Sequence, residues 1–304
     1  MFFTNYKSIV PDLISFDTQS NHLPLLYYSE DFSFYKLVKK PAKFHYKIKV
    51  DNNIYFPEEY DFKNGHFYKN KDDWYYKRDL KIFTLKFKYA EKEKTFYFNS
   101  IYSLVPFEIG HIFPIGRHIR DFIDFDLFQK GYLTILGGFT INYKGKIISI
   151  VGPSMNGKTT LLKKVIEDGG HYISEGPIII DIKNNQVFPC SNIEKKGRTI
   201  SRELYALIEK NSIRHYQKEK IDKLYLIINS TNPDFMASNK DFFDFIFFRS
   251  LLFLKSPFIA SYIFKNNLTR KVFDQIGNLR KNISIYYQFL QIKNYCFDQI
   301  FKSK

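Results

Sequence analysis

The stretch that most constrains this chain is 147–165, IISIVGPSMNGKTTLLKKV. An apolar run, Ile147–Val151, leads into Gly152, Pro153, Ser154, Met155, Asn156, Gly157, Lys158 and Thr159. Thr160, Leu161 and Leu162 then open a helical pattern. G-x-x-x-x-G-K-[ST] between a strand and a helix is a phosphate-holding arrangement. Backbone N–H groups of such a loop converge on phosphate oxygens, and the helix N-terminus adds the positive end of its dipole. Lys158 is expected to reach the outer phosphates as a point charge. Thr159 is expected to offer a hydroxyl to Mg²⁺, and Gly157 to let the backbone come close to the ligand. The competing reading is a chance match, and the flanking strand and helix argue against it. The expected ligand is ATP or another nucleoside triphosphate with Mg²⁺, held by Gly152–Thr160.

Around this stretch the chain of 304 residues has room for two domains. Residues 1–115 read as a β-rich N-terminal domain, and 116–304 as an α/β nucleotide-binding domain. Lys43–Val50 alternates at period two, as a half-buried strand does, and Asp51–Asn53 is a turn. Asn64-Gly65 is a hairpin signal, and Asp72-Asp73 separates two aromatic runs. Phe83, Leu85, Phe87 and Tyr89 alternate with polar residues, and the charged turn Glu91–Lys94 leads to Thr95–Phe98. The expectation is a meander of antiparallel strands. His45 and His66 lie far apart without ligand spacing, so no metal is expected there. The apolar spacing of 117–128 predicts a helix that stops near Gly131.

Composition narrows the partners. The net charge is +15, and 19% of the residues are aromatic. With abundant Lys, Ile and Asn this reads as a general bias, with lysine as the default surface residue. No arginine cluster or aromatic-basic motif of a known module occurs, so nucleic acid is not an expected partner. Cys190 and Cys296 are too few for a disulfide scaffold and lack metal spacing; they read as buried thiols. The start of the chain has no secretory pattern. The greasiest stretch, 246–264, contains Arg249, Lys255 and Pro257. It reads as two buried helices broken near Ser256-Pro257 rather than a membrane span, with a membrane-surface role as the alternative. A cytoplasmic protein without a transmembrane segment is expected.

After the helix, Glu167–His171 leads to Tyr172–Gly176 and then Pro177-Ile178-Ile179-Ile180-Asp181. A Lys183–Gln186 turn and Val187-Phe188-Pro189 follow. With the loop before them, these residues resemble the HPr kinase/phosphorylase superfamily over about residues 130–304. The resemblance implies that Gly131–Tyr143 forms a strand pair and Lys144–Lys146 the turn before the loop strand. It implies that Ile283–Ile300 is a closing strand and helix. It also implies a kinase that moves the γ-phosphate of ATP to a hydroxyl of a peptide, protein or metabolite, and assembly into a homo-oligomer. Two positions depart from the family. Gly137 stands where the family has His, and Gly176 where it has the second of two Asp. The first acidic slot is Glu175, which with Lys158 is the candidate catalytic pair; Thr159 and Glu175 are the candidate metal ligands.

Other readings stay open. Asp181 imitates the metal-binding Asp at the end of an apolar strand, but it is expected to start a hairpin turn, with Glu175 nearer the phosphates. Gly197–Arg202 offers an arginine for the γ-phosphate or a solvated helix entry. Leu224–Ile228 reads as a buried strand, and Asn229–Asn232 at its end are secondary site candidates. GPSMNGKTTLLK also resembles ABC-type ATPases. No LSGGQ-like signature or late acidic strand follows, and the roughly 145 residues after the loop are too few for that arrangement. A third reading is a nucleotide-sensing module that has lost catalysis.

Overall fold

In a computed structural model the described residues are 6–17, 36–81, 83–101, 115–152, 157–188, 218–229, 247–248, 250–290 and 300–301. Pro153–Asn156, Cys190, Gly197–Arg202, Ser230–Asn232 and Cys296 lie outside them. The chain is mixed α/β and divides into two compact units. The first comprises 1–123 and 256–266; the second comprises 124–255 and 267–304.

The first unit is built on a nine-stranded sheet. Its strands are β1 (Tyr6–Val10), β2 (Ile14–Asp17), β3 (Lys36–Val38), β4 (Phe44–Val50), β5 (Phe62–Asn64), β6 (Phe67–Asn70), β7 (Asp73–Asp79), β8 (Thr84–Ala90) and β9 (Thr95–Phe98). The order is β3-β1-β2-β4-β9-β8-β7-β6-β5. From β5 to β9 the strands form the expected antiparallel meander, with the β5–β6 hairpin turning at Gly65-His66. The expectation fails at β4, which pairs in parallel with both β9 and β2. Strands β5 to β8 intervene between β4 and β9, and β9 lies beside β4 running in the same direction.

Period-two alternation gives this sheet two unlike faces. Trp74, Tyr89, Phe87 and Phe96 are buried on one of them. Helix α1 (Ile115–Gln129) sends Phe122 onto that face, 5.3 Å from Trp74 and 5.8 Å from Phe87 between ring centroids. Phe258 and Tyr262, of the helix that starts at Pro257, pack on Trp74 from 6.0 and 4.9 Å. Ring pairs of this kind contribute roughly 0.5–1.5 kcal/mol each beyond their buried area. Part of the aromatic excess is therefore core. Buried Lys69 lies over the same rings, 5.1 Å from Trp74 and 5.8 Å from Tyr262, and meets Glu91 at 3.3 Å.

The second unit is built on a seven-stranded sheet. Its elements are β10 (Tyr132–Tyr143), β11 (Lys146–Val151), α2 (Lys158–Glu167), β12 (His171–Asp181), β13 (Gln186–Phe188), β14 (Glu219–Lys220) and β15 (Lys223–Asn229). The first unit's α3 (Pro257–Lys265) comes next in the chain, before α4 (Thr269–Asn282) and β16 (Ser284–Leu290). The order is β14-β13-β12-β10-β11-β15-β16, with β11, β15 and β16 parallel and β10 antiparallel to both its neighbours. Leu161, Leu162, Val165 and Ile166 of α2 pack with Phe139, Ile141, Ile150 and Ile227 of the sheet. Phe128 stacks on Phe253 at 4.6 Å, and the Leu252 N–H donates to the Thr134 carbonyl.

Three expectations are met or corrected along this part of the chain. Within Gly131–Tyr143 there is one long strand, β10 (Tyr132–Tyr143), rather than a strand pair. Its pairing with β12 skips between Ile135 and Gly138, so Leu136 and Gly137 face a single residue, Pro177, in a bulge. The greasy stretch does break at Ser256-Pro257, where α3 begins with proline in its first turn. Ser284–Leu290 is a strand as expected, and 291–299 lie outside the described residues. Among the described residues no helix is long and apolar enough to cross a membrane.

Candidate functional site

The site is assembled at one end of the second unit's sheet. Strand β11 ends at Val151, and Gly152 follows it. Gly152 is fixed by two neighbours. Its N–H donates to the Gly137 carbonyl at 3.2 Å. Its α-carbon lies so close to β15 that an added Cβ would stand 2.4 Å from the Ile227 carbonyl oxygen. Only glycine fits there, which is the physical content of the first glycine in the pattern.

Gly157 ends the loop and caps α2 in the left-handed conformation, with φ 68°. Among the described residues no side chain caps this helix, and its first turn has no acidic residue. The first N–H groups of a helix lack intrahelical partners and carry the positive dipole end, which suits an anion. Thr159 and Thr160 are exposed on the first turn.

Lys158 is half-buried and reaches back over the bulge of β10. A Cβ on Gly137 would lie 3.9 Å from Lys158 Cε and 4.0 Å from its Nζ. Burial pulls the Lys158 ammonium below the ordinary lysine pKa, and the Glu175 carboxylate acts in the opposite direction. Glu175 is on β12, paired with Phe139, one residue after the Gly138–Gly176 pair. It is partly buried, with Oε2 out of contact with solvent. Lys158 and Glu175, 17 residues apart in the chain, are therefore electrostatic neighbours.

Asp181 has another occupation. Its carboxylate accepts from the backbone N–H groups of Lys183 and Asn184, at 3.0 and 3.1 Å, and from Asn184 Nδ2 at 2.8 Å. It closes the β12–β13 turn, six residues along the strand from Glu175 and about 20 Å away at strand rise. Asn229 ends β15 in register with Leu290. Among the described residues no group of three or more His, Cys, Asp or Glu is arranged to hold a metal.

The sequence reading did not foresee that Gly137 lies against both Gly152 and Lys158. The available signal was the glycine pair in mid-strand, which marks a bulge or a close backbone approach.

No protein-family model matches the chain. No curated protein matches it either. Among solved structures, the Hpr(Ser) kinase/phosphatase from Coxiella burnetii is similar over 33% of this chain and 69% of that one, at 15% identity and a TM-score of 0.26. A likeness of that strength leaves the chemistry to be argued from this chain's own residues.

Proposed function

We propose that the chain binds a nucleoside triphosphate, ATP, at Gly152–Thr160 and transfers its γ-phosphate to a hydroxyl of a peptide, protein or metabolite. The observation that carries this reading is the full G-x-x-x-x-G-K-T pattern between an apolar strand and a helix, with Glu175 acting on Lys158. The donor set suits Mg²⁺ carried in with the nucleotide, since that ion takes one or two carboxylates or hydroxyls and completes its shell with phosphates and water. Thr159 and Glu175 are the residues that would hold it, and the ion would neutralise charge on the phosphate oxygens. Lys158 places a fixed positive charge beside the outer phosphates. In the transfer, the acceptor oxygen bonds to the γ-phosphorus, the bond to the β–γ bridging oxygen breaks so that ADP leaves, and the acceptor hydroxyl's proton passes to solvent. Such reactions depend mostly on positioning and charge, so Glu175 serves to orient the hydroxyl more than as a strong base.

A second reading is a nucleotide sensor without transfer. Gly137 and Gly176 have φ of 77° and 98°, a backbone region that side-chain-bearing residues rarely adopt. The residues absent from these two positions are thus disfavoured by the backbone itself.

Calorimetry of ATP with Mg²⁺, alongside turnover of labelled ATP with candidate acceptors, tests both readings. Lys158→Ala should weaken ATP binding by roughly 10- to 100-fold, the scale of a charge-assisted contact. Glu175→Gln should lower turnover far more than affinity, because positioning acts mostly in the transition state. Equal affinity of Lys158→Ala and wild type would overturn nucleotide binding at this loop. Binding without transfer to any acceptor would favour the sensor.

A further inference from the structure

The first unit's sheet carries a row of side chains that no linear motif displays. Pairing aligns Lys63 with Tyr68, Tyr68 with Tyr75, Tyr75 with Lys88, Lys88 with Tyr97, and Tyr97 with Lys49. Directly paired residues point to the same face, so these six form one line across β5, β6, β7, β8, β9 and β4. At strand spacing the line is about 24 Å long. It lies on the face opposite the Trp74–Phe122 core.

Lysine and ring are in contact along the row. Lys63 Nζ lies 5.1 Å from the centre of Tyr68, Lys88 Nζ 5.6 Å from Tyr75, and Lys49 Nζ 5.9 Å from Tyr97. The segment before β5 adds more rings. Tyr60 packs on Tyr68 at 4.7 Å, and Phe56 covers Tyr75 at 5.4 Å. Tyr55 beside them is 74% exposed. Tyr75 is buried beneath its neighbours, so Tyr60, Tyr68 and Tyr97 offer the partly open rings. The charge is unbalanced. Asp73 holds Lys88 at 2.8 Å and Asp79 holds Lys77 at 3.3 Å. Lys47, Lys49, Lys63 and Lys86, on the same face, have no carboxylate within 4.0 Å among the described residues.

We propose that this face binds single-stranded nucleic acid, with bases stacking on Tyr68 and Tyr97 and the flanking lysines meeting phosphates. Lysines that track a backbone, alternating with flat rings that accept any base, are the two components of sequence-tolerant single-strand binding. An acidic peptide would use the lysines but has no need of the rings. Asp73 offsets Lys88 in the middle of the row and Glu93 accepts from the Tyr97 hydroxyl at 3.0 Å, so the positive charge a polyanion requires comes from Lys63 and Lys49 at the two ends and from Lys47 and Lys86 on the same face. This proposal is independent of the reading of the phosphate loop.

The test is fluorescence anisotropy of the full chain with a labelled single strand of about twelve thymidines, in a salt series. Three or four phosphate contacts predict a slope of log affinity on log salt of about −2 to −3. Tyr68→Ala and Tyr97→Ala should each weaken binding by roughly 5- to 150-fold, and Tyr97→Trp should retain it. A combined Lys49→Gln and Lys63→Gln variant should flatten the slope by about 1.4. Lys158→Ala should bind the oligonucleotide as wild type does, which separates this face from the loop. The proposal is overturned if the single strand does not bind at low salt. It is also overturned if the Tyr→Ala variants, shown by circular dichroism to be folded, bind as wild type does. Polyglutamate binding as tightly, or loss of binding in Lys158→Ala, would overturn it as well.

Discussion

Gly152→Ala isolates the close approach between β11 and β15. The new Cβ would stand 2.4 Å from the Ile227 carbonyl oxygen and 3.3 Å from its carbonyl carbon. Ordinary contact begins near 3.4 Å, so the strands must separate locally by about 1 Å, close to a third of that contact distance. The obstructing atom is backbone. It cannot swing aside as a side-chain tip could, because β15 is paired on its other edge with β16, Ile227 opposite Gln288. Overpacking of this kind costs roughly 1–3 kcal/mol. The second unit, segments 124–255 and 267–304, has about 170 residues, for which each kcal/mol lowers the melting temperature by about 2–4 °C. A fall of roughly 2–12 °C is expected, with a smaller upward shift on adding ATP and Mg²⁺ than wild type shows. Gly137→Ala provides the contrast. Its nearest contact would be 3.4 Å, to the Gly152 carbonyl oxygen, so its cost comes from the φ of 77° and amounts to about 1–2 kcal/mol. Differential scanning calorimetry of both variants makes the comparison. A Gly152→Ala protein melting within about 1 °C of wild type would refute the argument from close approach.

Two further outcomes concern His118 and Asp181. The His118 ring is enclosed by Phe67, Tyr76 and Phe258, and burial, with Arg117 and Arg120 adding to it, lowers its pKa to about 3. Below the ordinary value of 6.5 the unfolded chain binds a proton that the folded one refuses, so stability is lost as pH falls from 6.5 toward 3. Between pH 7 and pH 5 the loss should be about 2 kcal/mol by denaturant titration, and His118→Phe should remove it; an unchanged pH profile in that variant would rule the ring out as its source. Asp181→Ala removes three hydrogen bonds from the β12–β13 turn and should destabilise the fold by roughly 1–3 kcal/mol while leaving ATP affinity intact. Lost affinity with unchanged stability would return Asp181 to the metal.

Much of the local structure was legible because it is written in short-range periodicity. The alternation over Phe83–Tyr89 is a half-buried strand wherever it lies, and the apolar spacing of 117–128 predicts the helix itself, although the tertiary structure buries 119–128 on every side, Asp121, Asp124 and Asp126 included. The hairpin signalled by Asn64-Gly65, which turns one residue later at Gly65-His66, and the turn begun by Asp181 follow from residues that bond or bend their own neighbourhood. The strand and helix flanking the loop were readable for the same reason. Neighbours in space were not. Nothing within β4 says that it lies parallel to β9, and nothing within 256–266 says that it belongs with the first unit. Gly137 looked like a missing residue until the bulge brought it against Gly152 and Lys158. The lysine–tyrosine row is the clearest case. Its six members come from six strands, one from each, so every local window sees a single tyrosine or lysine in an ordinary strand. Sequence sets which face of a strand a residue occupies, because that depends on its immediate neighbours. Which residues share a row depends on strand order and register, and these are decided by burying the opposite face against the whole unit.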